Sequence, residues 1–416
     1  MMVLDPLLII AIVSGFIMAC SIGANDVANA MGTTVGSKAL TVSQAIFLAA
    51  VFEALGAFLA GGQVTNTIRD GVIDSRLYDQ NLYLLAIGML SSLWASGTWL
   101  VLATLRGWPV STTHTIIGSV LGFALISVGT QGIRWNLVGV VVSSWVVAPL
   151  VSAIISFSLF KLILRCTYRT SQPERNVLIF VPIIVFLSQY LIVLMIMNKG
   201  LKPLGLKIHD VWQHVSSFLI GLVSLSFSVR YLSKEFKKIK GQDHHNVFVM
   251  LEKVFAILSI FSAAVLAFAH GSNDVANAIG PLATIVDVIH YGSIDVSRKL
   301  PIWVVFLGAS GVVVGLAVYG YRIMETVGKK ITYLSPSRSF TAQLTTGLMV
   351  LASSALGYPV STTQILVGAV VGVGVAGGLS ALNLRVIRDI VLSWLVTIPV
   401  GIILAMIYYF IFTRIF

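Results

Sequence analysis

The sequence predicts an all-α polytopic membrane protein built from two inverted-topology repeats, with re-entrant helical hairpins, discontinuous helices and about 12 membrane segments. Composition is the first reason: 57% of the 416 residues are hydrophobic and only 10% charged, and mean hydropathy is +0.95. Soluble domains carry about 25% charged residues. Internal repetition is the second: GANDVANA at Gly23–Ala30 returns as GSNDVANA at Gly271–Ala278, 248 positions on, and GWPVSTTH at Gly107–His114 returns as GYPVSTTQ at Gly357–Gln364, 250 positions on. The third is loop charge, which differs between equivalent loops of the two copies.

Apolar segments fall at roughly 7–22, 40–62, 82–105, 109–128, 136–163, 178–197, 211–231, 251–270, 300–320, 340–356, 359–376 and 389–413. Their lengths approach the ~20 residues that span a bilayer as helix, whereas membrane strands would read as alternating segments of about 10 residues. The first segment has no basic stretch before it and leads into the Asn-Asp motif, so it reads as mature structure rather than as a signal peptide. Gly107-Trp108-Pro109 and Gly357-Tyr358-Pro359 interrupt apolar runs, and the Ser-Thr-Thr after each favours a helix N-terminus. Each therefore predicts a hairpin that enters and leaves on one side.

The most basic loop holds Arg230, Lys234, Lys237, Lys238, Lys240 and Lys253, which places it in the cytoplasm. Residues 63–81 carry Arg69 and Arg76 against Asp70, Asp74 and Asp79, net −1; the equivalent 321–339 carry Arg322, Lys329, Lys330 and Arg338 against Glu325, net +3. With hairpins counted as re-entrant, each repeat makes an odd number of crossings, and two connecting helices then start the second repeat on the opposite side. The expected organisation is a first inverted repeat at 1–165, a connector with two transmembrane helices and a basic loop at 166–250, and a second inverted repeat at 251–416. The expected location is the cell (inner) membrane, with both termini outside. Inverted repeats with interrupted helices are a plan of secondary transporters.

The motifs divide by chemistry. Two helix N-termini facing one another, with Ser111, Thr112, Thr113 and Ser361, Thr362, Thr363, would surround a small tetrahedral anion. Hydroxyls also tie membrane helices together, the alternative role for these residues. Asp26 and Asp274 are the stronger signal, because an acid inside a membrane helix costs roughly 2.5–3.5 kcal/mol on insertion scales and marks ion or substrate paths. Each lies between an Asn before it (Asn25, Asn273) and an Asn three residues later (Asn29, Asn277), behind a glycine where the helix can break. Carboxylate, amide and freed carbonyl oxygens make a hard-cation site. Mg²⁺ dehydrates reluctantly, so Na⁺ suits cyclic loading better; an internally paired Asp is the alternative. Bound cations would relieve the repulsion between carboxylates and an anion, a physical basis for symport. A hydrogen-phosphate anion also carries a proton to donate, which sulfate lacks, so acceptors at the site would discriminate.

Glu53, with Val312 as its counterpart when Gly56 is laid on Gly315, reads as a third cation or proton site or as a packing residue. His114 against Gln364 argues against an obligatory histidine pair, and Trp145 and Trp394 read as packing. Cys20 and Cys166 form no metal-like spacing, Asp243-His244-His245 reads as a solvated loop more than as a metal site, and GTTVGSK at Gly32–Lys38 is not a nucleotide-binding loop. No basic stripe interleaved with aromatics points to nucleic acid.

At these residues the chain resembles the inorganic phosphate transporter family, on GANDVANAMGTTVGSKAL (Gly23–Leu40), GSNDVANAIGPLA (Gly271–Ala283) and the two G-[WY]-PVSTT segments. The resemblance covers both repeats. It implies phosphate uptake by alternating access, driven by Na⁺ in some members and by H⁺ or metal–phosphate in others. It implies a site formed by Asn25, Asp26, Asn273, Asp274 and the two Ser-Thr-Thr triplets, with Glu53 important for transport. Gln343 stands where a Glu is common in the family and Gln364 where a His is, which weakens proton coupling. The expected function is therefore a secondary active transporter, not an enzyme, importing phosphate by cation symport with Na⁺ favoured. The alternatives are a proton- or metal–phosphate-coupled permease and, further off, an anion channel or a membrane hydrolase using a serine near His114. The expected partners are inorganic phosphate, Na⁺ or H⁺ and the lipid bilayer, with a homodimer left open and no covalent cofactor.

Overall fold

Apolar runs too long for strands, punctuated by glycine and proline, leave the backbone only helix as a way to satisfy itself away from water. The computed structural model describes residues 6–170, 172–200, 208–239, 244–295, 300–325, 333–378 and 382–416, with residues 298, 327 and 331. Among the described residues the secondary-structure elements are helices, with an isolated bridge between Ile73 and Ile133.

In the first half, α1 (Pro6–Ile22) passes through a π-helical turn at Gly23–Val27 into α2 (Ala28–Gly36). Then come α3 (Val42–Ala60), opened by a reciprocal Thr41–Gln44 cap, and α4 (Gly62–Asn66), followed by a second π-helical turn at Thr67–Gly71. The half ends with α5 (Leu82–Leu105), α6 (Thr112–Ser127) and α7 (Trp135–Ile163). Next are α8 (Pro173–Met195) and α9 (Asp210–Ile239), which pack on each other. The second half runs through α10 (His244–Asn273), α11 (Ala276–Tyr291), α12 (Ile302–Tyr319), α13 (Tyr321–Glu325), α14 (Pro336–Ala355), α15 (Thr362–Gly377) and α16 (Leu384–Ile415).

All twelve expected apolar segments fall on helix. Nine stretches among the described residues are long and apolar enough to cross a membrane, and α6 and α15 are shorter apolar helices. The segment expected at 340–356 belongs to α14, whose buried positions include Ser337, Ser339, Thr341, Gln343 and Thr346, too polar to count among the nine. Two apolar stretches outrun the expectation. Pro6–Gly36 and Val247–Tyr291 each carry on past the Asn-Asp motif, so the motif lies inside a rod rather than at its end. The expected breaks are mild: a π-helical turn at Gly23–Val27, and an interruption at Asp274 and Val275 that leaves Asp274 N bonded to His270 O at 2.7 Å. The expected freeing of backbone carbonyls is correspondingly small.

Small residues set the packing. Gly23 approaches the Val312 backbone and Gly315 the Cys20 backbone; at the repeat-related contact Gly271 approaches Glu53 and Gly56 approaches Phe268. So α1 lies against α12 as α10 lies against α3. The hairpin helices repeat this exchange at greater reach. Gly118 and Gly122 of α6 meet Ile398 and Ile402 of α16, and Gly368 and Gly372 of α15 meet Pro149 and Ala153 of α7. Such small-xxx-small faces let helices touch where no hydrophobic drive brings them together. Ser152 and Ser156 add bonds of 2.7 and 2.9 Å to the Ile365 and Ala369 carbonyls. Val146, Leu150 and Ile154 of α7, Val223 and Phe227 of α9 and Leu395 of α16 are exposed, an apolar surface that suits lipid. Arg69 is buried on the second π-helical turn, where it pairs with Asp287 of α11. In the adjoining loop the hydrogen-bonded Arg76 holds the Asp74 carboxyl down to about 2.

A methyl group on Gly315 would sit 1.7 Å from the Cys20 carbonyl oxygen, whereas one on Gly62 meets nothing within 4 Å. Gly315→Ala is expected to cost about 1–3 kcal/mol through overpacking, seen as a lower thermal midpoint of the purified protein, with Gly62→Ala unchanged. Equal midpoints for the two variants would contradict this packing.

Candidate functional site

Each hairpin turns at a glycine with positive φ, Gly107 at 69° and Gly357 at 76°, a backbone conformation open to glycine at little cost. Beyond the proline, the chain enters α6 and α15 with Ser111 and Ser361 as N-caps. Their hydroxyls accept from His114 N (3.1 Å) and Gln364 N (3.2 Å), as capping requires. The two serines thus spend their acceptors on their own helices.

The four threonines reach further. Thr112 donates to Asp26 of its own half, and Thr362 donates to Asp274 at 2.5 Å. Thr113 and Thr363 cross over: Thr113 lies 3.1 Å from Asp274 Oδ1, and Thr363 lies 2.8 Å from Asp26 Oδ1. Asn277 Nδ2 donates to Thr112 at 3.1 Å, adding a third bond across the halves. Each carboxylate is therefore held by one hydroxyl from each hairpin. Asp26, Asp274 and all four threonines are nearly sealed from solvent.

Asn25 and Asn273 tie hairpins to rods. Asn25 Nδ2 donates to Thr104 Oγ1 and Trp108 O, both at 3.0 Å, and Asn273 Nδ2 donates to Ser354 Oγ (3.0 Å) and Tyr358 O (3.3 Å). Asn29 lies on α2 and its side chain falls outside the described residues. Asp243 lies outside them as well, as do the side chains of His244 and His245 at the start of α10.

Glu53 is fully buried on α3 and reaches His270, whose Nδ1 lies 2.9 Å from Glu53 Oε2 and whose Nε2 lies 3.2 Å from Asp274 Oδ2. Ligand atoms of Asp26, His270 and Asp274 all lie within 4.8 Å of one another. His270 was not among the residues singled out in the sequence. Its signal was its place directly before the second Asn-Asp motif, where the first copy has Ile22. The asymmetry is paired: Glu53 of the first half meets His270 of the second, and their counterparts Val312 and Ile22 are apolar. Glu53 Oε1, Asn273 Oδ1 and Asn277 Oδ1 are buried without a hydrogen-bond partner. Each of these orphaned oxygens is of the type hard cations take.

Gln343 is bonded throughout. Its amide nitrogen donates to Thr33 (2.7 Å) and to Thr34, and its oxygen accepts from Ser259 (3.2 Å) and Ser262 (3.0 Å). Beside the second hairpin a cavity of about 270 Å³ is lined by Gln63, Phe268, Ser272, Leu351, Ser354 and Ala355.

The sequence model of the phosphate transporter family matches residues 22–405. A chain of Haemophilus influenzae carrying a phosphate-permease name is 45% identical over 408 residues, covering 98% of this chain and 97% of that one. Inorganic phosphate transporter 2-1, chloroplastic, of Arabidopsis thaliana is 41% identical over 424 residues, covering 96% of this chain and 71% of its own. A solved structure, named as the sodium-dependent phosphate transporter, superposes with a TM-score of 0.89 at 37% identity, covering 99% of this chain and all of its own.

His270 bridges two buried acids, so His270→Leu is expected to lower stability by about 1–3 kcal/mol by leaving them without a shared partner. Copying the apolar half, as Glu53→Val with His270→Ile, should recover part of that loss in thermal unfolding of the purified protein. A double variant less stable than His270→Leu would show that the Glu53–His270 contact is not the source.

Proposed function

The chain belongs to the phosphate transporter family, and from that premise we propose that it imports inorganic phosphate by symport with Na⁺ through alternating access. Its relatives are transporters and permeases, and the chain is a multi-pass membrane transporter rather than an enzyme.

The observation that carries the proposal is the crossed bonding of Asp26 and Asp274 to hydroxyls of both hairpins. Two carboxylates in one buried cluster repel any anion brought beside them. At an effective dielectric of 20, a unit charge pair at ~4 Å is worth about 4 kcal/mol, so cations at Asp26 and Asp274 decide whether phosphate binds. We assign Asp26, Asp274, Asn29 and Asn277 to the cations, with Glu53 as a further ligand. Asn25, Asn273 and the Ser111–Thr113 and Ser361–Thr363 segments face the anion, so that cation loading would release the threonine hydroxyls from the carboxylates.

Na⁺ is favoured over H⁺ by the oxygen-rich donor set and by Gln343, a neutral amide satisfied on both sides. The superposed transporter is named as sodium-dependent, which supports the same choice here. We take residues 1–165 and 251–416 as inverted halves and 166–250 as their connector, in the cell (inner) membrane with both termini outside. The recurrence of helix order and of glycine contacts supports two halves, and loop charge supports the inversion.

In proteoliposomes, radiolabelled phosphate uptake is expected to need an inward Na⁺ gradient; equal uptake with choline in place of Na⁺ would favour the proton- or metal–phosphate-coupled alternative. Asp274→Asn is expected to abolish uptake while the protein still purifies folded, and uptake at the unmodified rate would remove Asp274 from the site.

A further inference from the structure

The two hairpins are anchored unequally. At the first, Trp394 Nε1 of α16 donates to the Pro109 carbonyl at 3.2 Å, and Val110 N donates to Asn25 Oδ1 at 3.2 Å. The repeat counterparts of these four groups are Trp145, Pro359, Val360 and Asn273, each 248 to 250 positions away. Neither bond is made there: Trp145 Nε1 and Asn273 Oδ1 are both buried without a partner. The Trp145 ring lies instead on His114, centroids 4.0 Å apart. An indole N–H is a donor only, and burying one unbonded is costly enough that a partner is normally found. The cavity lined by Ser354 and Ala355 lies beside the hairpin that lacks both bonds.

We infer that Trp145 and Trp394 are paired positioning residues for transport, each holding the tip of one Pro-Val-Ser-Thr-Thr hairpin in one of the two access states. This rests on the inverted-repeat, alternating-access reading above. In this state Trp394 holds Pro109 and Val110 N meets Asn25 Oδ1, while the second hairpin, held by Asn273 Nδ2 at Tyr358 O and by Thr67 at Gly357 O, lacks those two bonds and has the cavity beside it at Ser354. In the opposite state the halves exchange roles: Trp145 turns from His114 to the Pro359 carbonyl, Val360 N meets Asn273 Oδ1, and Trp394 releases Pro109. Each bond is present in one state and absent in the other, and such differential interactions are what can shift a two-state equilibrium. The pair needs no contact with phosphate or cation.

The test uses full-length protein in liposomes, with Cys20→Ala and Cys166→Ala as background and Ala355→Cys as the reporter on the cavity wall, labelled by a maleimide without phosphate. Trp394→Phe removes a bond of this state and should lower the labelling rate. Trp145→Phe removes a bond of the other state and should raise it. Each shifts the ratio of states about fivefold, the size expected for one neutral hydrogen bond. The double variant should return to near the parent rate, which simple structural damage would not do. Trp145→Tyr and Trp394→Tyr keep an amphipathic ring without the indole N–H and give a second pair of variants read in the same way. Shifts in the same direction, no shift, or a double variant that fails to return would overturn the inference. Phosphate uptake is measured on the same liposomes. Opposite shifts without uptake support the latch and remove the substrate assignment alone, whereas normal uptake with unshifted labelling removes the latch alone.

Discussion

Asp26 and Asp274 are buried in a chain with little other charge to offer them, and their satisfaction constrains the packing around them. An acid in that setting must find donors or a counter-charge. The donors here are threonine hydroxyls at the starts of α6 and α15, one from each hairpin for each carboxylate. Because the bonds cross, neither half can complete its own site. The hairpins must therefore be brought into the middle of the molecule and held there, which explains why α6 packs on α16 and α15 on α7 through matched glycine faces.

The same constraint accounts for the rods. A sharply unwound break at Gly23 or Gly271 would expose backbone groups that have no water to meet. A π-helical turn in one rod and a two-residue interruption in the other turn the carboxylates toward the hairpins while keeping most backbone bonds. Close approach by Val312 and Glu53 at those glycines then fixes the rods against α12 and α3. Local geometry at the motif and long-range packing answer the same polar requirement.

Symmetry is broken at several places near the site. Glu53 and His270 face Asp274, while the matching positions beside Asp26 hold Val312 and Ile22. Trp394 is bonded and Trp145 is not. The first difference is written into composition and persists in every conformation. The second is a difference of arrangement between like residues, which a change of state can reverse.

Membrane class, duplication and the identity of the polar motifs were legible in the sequence, because burial in lipid demands long apolar runs and makes each intramembrane Asp conspicuous. The helix starts at Ser111 and Ser361 were legible too, since capping is a local property. His270 was not: its one signal, a histidine before the second motif where the first copy has Ile22, gains meaning only when α3 brings Glu53 to within 2.9 Å of it. The crossed pairing of Thr113 with Asp274 and Thr363 with Asp26 was likewise out of reach, because offsets within the chain report repetition but not which copy meets which. The sequence by itself determined what must be buried and how often it recurs. Only the tertiary structure decided which partner each buried group takes, because that choice depends on helix approach distances that residues far apart in the chain set together.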